Sequence, residues 1–348
     1  MTSMRQSARL FRVPLVFTGA GLAGAVLVGW SYEQSISGAL SFLIVASVLA
    51  VLEISLSFDN AVVNANTLNR MTPVWQRRFL TWGILIAVFG MRIVFPLAIV
   101  SIAAQIGPLS AIYLAAADPA EYARIIEGAH ISISAFGGTF LMMVALCFFI
   151  DEGKKVDWIR SLECQLRKCA SIRGLEIALV LIIILVVSGF LPDGKASEFV
   201  FAAILGLLTF LGFEALGHFL GEKANLPGHM ARGGVGAFLY LEMLDASFSL
   251  DGVIGAFALT NNLFLIAIGL GIGAFYVRSM TIMLVENRTL TEFRFLEHGA
   301  FYSIFILSAI MFMQSLMHVP EVFTGLVGAS LILFAGWRSI EYRKAEKG

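Results

Sequence analysis

Residues 38–62 read GALSFLIVASVLAVLEISLSFDNAV. The first fifteen carry no charge, and Glu53 and Asp59 then stand inside a run long enough to cross a bilayer. A spanning helix takes about 20 apolar residues. Working outward, apolar runs recur at 14–30, 38–62, 79–102, 130–150, 174–191, 198–217, 234–258, 262–284, 298–317 and 320–337. These predict an all-α, polytopic membrane helix bundle of about ten transmembrane helices, with 1–348 forming a single transmembrane domain. Of the 348 residues 58% are hydrophobic and 14% charged. Soluble domains are ~25% charged, so this chain lacks the charge to cover a water-facing surface. The mean hydropathy is +0.86.

Several function classes are excluded. Lys+Arg and Asp+Glu number 24 each, so no nucleic-acid partner is expected. Three cysteines without a CxxC argue against a disulfide scaffold or a redox pair. There is no Gly-x-Ser-x-Gly, His-Glu-x-x-His, Walker loop or strand-preceded GxGxxG, so neither an enzyme nor an enzyme cofactor is expected.

Charge sets the orientation. With the N-terminus in the cytoplasm and the spans alternating, 20 of the 24 Lys and Arg fall inside. Only Arg124 and Lys195 fall outside, and Arg92 and Arg278 lie within spans. Cytoplasmic loops carry the excess of Lys and Arg, and one miscounted span would invert everything after it. The expectation is a multi-pass protein of the inner (plasma) membrane with both termini cytoplasmic. Arg5, Arg9 and Arg12 precede the first run as in a signal peptide, but no convincing small-x-small site precedes Tyr32, so the run is read as a helix. The inner loop Asp151–Arg173 is charged and reads as a short surface helix.

The opening motif recurs. Glu53-Ile-Ser-Leu-Ser-Phe-Asp59-Asn60 has its counterpart in Asp245-Ala-Ser-Phe-Ser-Leu-Asp251-Gly252. Each copy is followed by a span with one buried arginine, Arg92 or Arg278. Next comes a helix entering with Glu and His, at Glu127 and His130 or at Glu297 and His298. The copies sit in the second and seventh spans, an odd offset, so they point in opposite directions. Residues 14–191 and 198–337 would then form a 5+5 inverted repeat. That architecture places a binding site near the midplane and suits alternating access.

The spans hold six acids: Glu53, Asp59, Glu214, Glu242, Asp245 and Asp251. An ionised group at the bilayer centre costs about 2.5–3.5 kcal/mol on insertion scales. Four motif acids less two charge-balancing arginines leave two negative charges. One divalent cation closes that balance, and so do two protons. Residues six apart on a helix sit about 120° off one face and ~9 Å along the axis. Glu53 and Asp59 therefore cannot grip one ion from a regular helix. Either the helices unwind at Ser55–Ser57 and Ser247–Ser249, or crossed helices each supply one acid. The candidate metal ligands are Glu53, Asp59, Asn60, Asp245 and Asp251, with Glu242, Ser55 and Ser247 as accessories. Carboxylate, amide and hydroxyl oxygens suit Mn²⁺, Mg²⁺ or Ca²⁺. Glu214 and His218, four apart on the sixth span, are a candidate entry site. Gly269 and Gly273 read as ordinary small-xxx-small helix packing.

These motifs, with the basic Gln76-Arg77-Arg78, resemble the TerC family of integral membrane proteins, named for tellurium resistance and part of the lysine-exporter superfamily. The string Ser-Phe-Asp-Asn-Ala-Val-Val-Asn is similar to a TerC-related branch. The resemblance runs from about residue 50 to 315. It implies an inverted-repeat metal transporter, with manganese efflux as the associated activity. By motif position its acids map to Glu53, Asp59, Asp245 and Asp251, with Asn60 beside them. The second motif departs from that pattern, ending Asp251-Gly252 where Asp-Ser is common. The expected function is export of a hard divalent cation, Mn²⁺ first, against protons. The alternative is a non-transporting membrane factor for metal delivery or scaffolding, and a third reading, amino-acid export, rests on the superfamily alone. The expected partners are the lipid bilayer and the divalent cation. Oligomeric state is not legible in the sequence.

Overall fold

A computed structural model describes residues 10–83, 85–151, 156–168, 172, 174–219, 234–287, 293–317 and 319–347. The side chains of His218 and Asp251 lie outside the described ones. The described residues form helices joined by short connections, with no strand among them, as the apolar runs predict. Helices α1 (Arg12–Glu33) and α2 (Ile36–Leu56) form a hairpin. It turns at Gln34, whose φ of 49° is left-handed, and Ser35 caps α2 by accepting from the Gly38 N–H at 3.0 Å. Then follow α3 (Phe58–Arg70), α4 (Pro73–Arg78), two π-wound segments (Phe79–Gly83 and Ile86–Val94) and α5 (Phe95–Ala103). The second π segment runs straight into Pro96 of α5. Proline has no N–H to donate and its ring crowds the carbonyl four residues back, here that of Arg92. A wider turn at that point relieves both faults.

Two short helices outside the ten expected runs, α6 (Pro108–Ala117) and α7 (Pro119–Gly128), each open on proline, which has no N–H to leave unsatisfied there. The chain continues through α8 (His130–Ile150), α9 (Arg160–Lys168), α10 (Leu175–Ser188), α11 (Asp193–Phe219), α12 (Val235–Leu259), α13 (Leu263–Glu286), α14 (Leu296–Gln314) and α15 (Glu321–Lys347). Among the described residues eight helices are long and apolar enough to cross a membrane. Two of the ten predicted runs fall short of that description for different reasons. Helix α10 has only 14 residues, and α12 carries Glu242, Asp245 and Asp251.

The core has two centres. Helix α8 is buried along nearly its whole length between α11 and α14. Helix α13 packs against α1, α2, α3 and the second π segment. Outward faces are apolar, including Val16, Leu27, Ile44, Leu185 and Phe201, as a lipid-facing surface requires. The loop helix α9 is not a free surface element. Its Glu163 is buried and accepts from the N–H of Ile159 at 3.0 Å and from the Tyr302 hydroxyl of α14 at 3.0 Å. His298 Nε2 stands 3.6 Å from the same carboxylate.

Candidate cation site

The site begins at a break. Ser57 has φ −98° and ψ 19°, outside helical geometry, and separates α2 from α3. Serine competes with the helix for hydrogen bonds. Its hydroxyl donates to Glu53 Oε1 at 3.1 Å. Thus the first acidic motif unwinds where its serines predict. The second does not, since α12 runs unbroken through Ser247 and Ser249, and Ser247 donates back to the Met243 carbonyl at 3.0 Å.

The break does not bring Glu53 and Asp59 onto one ion. Glu53, in the last turn of α2, is buried and pairs with Arg92 from the second π segment, Nη2 to Oε1 at 2.5 Å. The second arm of Arg92 donates to the Ala87 carbonyl at 2.7 Å, and Nε has no partner. Asp59 turns the other way. Its Oδ2 accepts from the Ser303 hydroxyl of α14 at 2.7 Å, and its Oδ1 accepts from the Asn60 N–H at 2.9 Å. Gly328 of α15 makes room for that pair, since a methyl there would fall 2.6 Å from Ser303 Oγ. Ser303 carried no signal in the sequence, because it is one of two serines in a largely apolar helix and belongs to no motif.

Crossed helices, rather than one motif, assemble the cavity. Asn60 reaches from α3 to α12, its Nδ2 donating to Asp245 Oδ1 at 2.5 Å. Glu53, Asn60, Asn64, Arg92, Asp245 and Arg278 all line one cavity of about 40 Å³, with Phe79, Gly83, Ala274, Val277 and Thr281 among the remaining walls. A single water needs ~10–15 Å³, so this space holds more than one. Asn60 Oδ1 and Asn64 Oδ1 are buried without hydrogen-bond partners. Buried polar atoms are ordinarily satisfied, so two orphaned carbonyl-type oxygens on one cavity call for an explanation. Arg278 lines the same cavity with its Nε buried and unpartnered, and among the described side chains, which do not include that of Asp251, it makes no ion pair.

Glycines set how closely these groups approach. A methyl at Gly273 of α13 would overlap Glu53, 2.5 Å from its Cβ and closer to its Cγ. Gly269, one turn earlier, lies as close to Leu49. What read as ordinary small-residue packing therefore seats the carboxylate. Gly252 also faces it, since a methyl there would lie 3.2 Å from Glu53 Oε2.

Other expected residues sit elsewhere. Ser55 is exposed and its hydroxyl donates to the Val51 carbonyl at 2.7 Å, so it is no ligand. Glu242 is buried against Gly83 with Oε1 unpartnered, beside the cavity. Glu214 is half-buried and away from the cavity walls. Among the described residues no three His, Cys, Asp or Glu converge as a metal group. The donor set that does converge is two carboxylates with amide oxygens, which is the chemistry of a hard cation. Asn64, one turn beyond Asn60 on α3, belongs to this set and was legible as the last residue of Asp-Asn-Ala-Val-Val-Asn.

No curated protein and no solved structure matches the chain. Residues 58–346 match the family described as Protein of unknown function (DUF475).

Proposed function

We propose that this chain, which belongs to the DUF475 family, is a membrane transporter exporting a hard divalent cation, Mn²⁺ first, by alternating access. The observation that carries this reading is the cavity between α2, α3, α12 and α13. There Glu53 and Asp245 stand with the unpartnered oxygens of Asn60 and Asn64. A cation with oxygen ligands answers the orphaned acceptors, and the two carboxylates beside them are available to ligate it. The repeated acidic motifs support a 5+5 inverted repeat of 14–191 and 198–337, which puts such a cavity between the halves. The resemblance to TerC proteins points the same way and favours manganese.

Proton exchange fits the ligand chemistry, because protons and the cation compete for the same carboxylate oxygens. The test is flux. Purified protein in liposomes should move Mn²⁺ down a gradient, and Asp245→Asn should stop it while the protein still inserts. Binding without flux in the wild type would replace the transporter with a non-transporting factor for metal delivery or scaffolding.

A further inference from the structure

We propose that Arg92 is the internal counter-ion of the empty carrier: it holds the charge of Glu53 when no cargo is bound and releases it when the cation enters. This rests on the transporter reading. The Glu53–Arg92 pair is buried, with 10% and 4% of the two side chains exposed. Its geometry is that of a contact able to open. A strong Arg–carboxylate pair is bidentate, two parallel N–H···O bonds. Here only Nη2 reaches Glu53, and only at Oε1. Oε1 also accepts from Ser57, which remains on Glu53 if Arg92 leaves. The other arm of Arg92 already rests on the Ala87 carbonyl, within its own π segment, so the guanidinium keeps an acceptor when it swings away.

Both partners line the same cavity as Asp245. A cation entering beside Asp245 therefore meets Glu53 with its charge covered by Arg92, and must displace the guanidinium to gain the second carboxylate. The loaded carrier needs no arginine at Glu53, since the cation neutralises it. The empty carrier does, because an uncompensated carboxylate in a low-dielectric interior opposes the return step.

The two steps separate in liposomes. Exchange of labelled Mn²⁺ against unlabelled Mn²⁺ on the far side uses only the loaded carrier. Net efflux into Mn²⁺-free buffer also requires the empty carrier to return. Arg92→Gln should keep exchange within a few-fold of wild type and slow net efflux by about a hundredfold. Arg92→Lys, which keeps the charge, should recover most of the net flux. If Arg92→Gln does not fold, Arg92→Met, uncharged and of similar length, carries the same test. Its net efflux should again fall far more than its exchange. Equal slowing of both modes by the uncharged variant, or no slowing of either, overturns the inference. Wild-type protein that moves Mn²⁺ in neither mode defeats the transporter reading, and the inference with it.

Discussion

Gly273→Ala tests whether the crossing of α2 and α13 builds the site. The added methyl would lie 2.5 Å from Glu53 Cβ and closer still to Cγ. Carbon atoms settle at about 3.5–4.0 Å, so α2 must retreat by about 1 Å or Glu53 must turn away. Overpacking of this kind costs about 1–3 kcal/mol. Either response also strains the 2.5 Å contact of Glu53 with Arg92, and opening a buried ion pair on one side costs about 3–5 kcal/mol. Gly271→Ala, two residues earlier, is the control. Its methyl would meet Val88 Cγ1 at 3.5 Å, an ordinary contact. Alanine is the better helix former by about 1 kcal/mol, so Gly271→Ala should be neutral or mildly stabilising. Thermal unfolding in detergent should show Gly273→Ala melting well below Gly271→Ala, and Mn²⁺ flux should be lost only in the former. Equal melting points with equal flux would refute the argument that Gly273 seats Glu53.

Ser55→Ala should change neither stability nor flux beyond about 0.5 kcal/mol, because its hydroxyl faces outward, whereas Ser57→Ala should weaken Mn²⁺ binding by unanchoring Glu53; calorimetry on the pair reads the contrast. Ser303→Ala removes the hydroxyl donor from buried Asp59 and should lower stability by about 1–3 kcal/mol, visible in the same melting assay. Glu163→Gln exchanges the buried carboxylate that ties α9 to Tyr302 and His298 for a neutral amide and should lower the melting temperature without changing Mn²⁺ affinity. Mn²⁺ binding should be weaker at acidic than at neutral pH, since protonated carboxylates do not ligate; a flat calorimetric profile would remove proton competition and leave the cation site standing.

The sequence by itself determined the membrane bundle, because hydropathy is local and a spanning helix satisfies its own backbone. It also singled out the acids, through the cost of placing charge in an apolar run, and it required a partner for Arg92 for the same reason. It left two arrangements open, unwinding at Ser55–Ser57 and Ser247–Ser249 or crossed helices that each supply one acid; the helix breaks at Ser57, while α12 stays helical through Ser247 and Ser249. The two motifs share their local pattern and differ in what packs on them. At Ser57 the hydroxyl finds Glu53 beside Arg92, while Ser247 returns its proton to its own helix. Which acid meets which partner was decided only by tertiary structure. Asn60 reaches Asp245 across 185 residues, and Asp59 finds Ser303 across 244. Side-chain contacts of that separation depend on how closely helices cross, and the crossing at Glu53 is set by a missing methyl at Gly273. A glycine's local signal is packing alone. Only the neighbouring helix shows that the space it leaves holds a carboxylate.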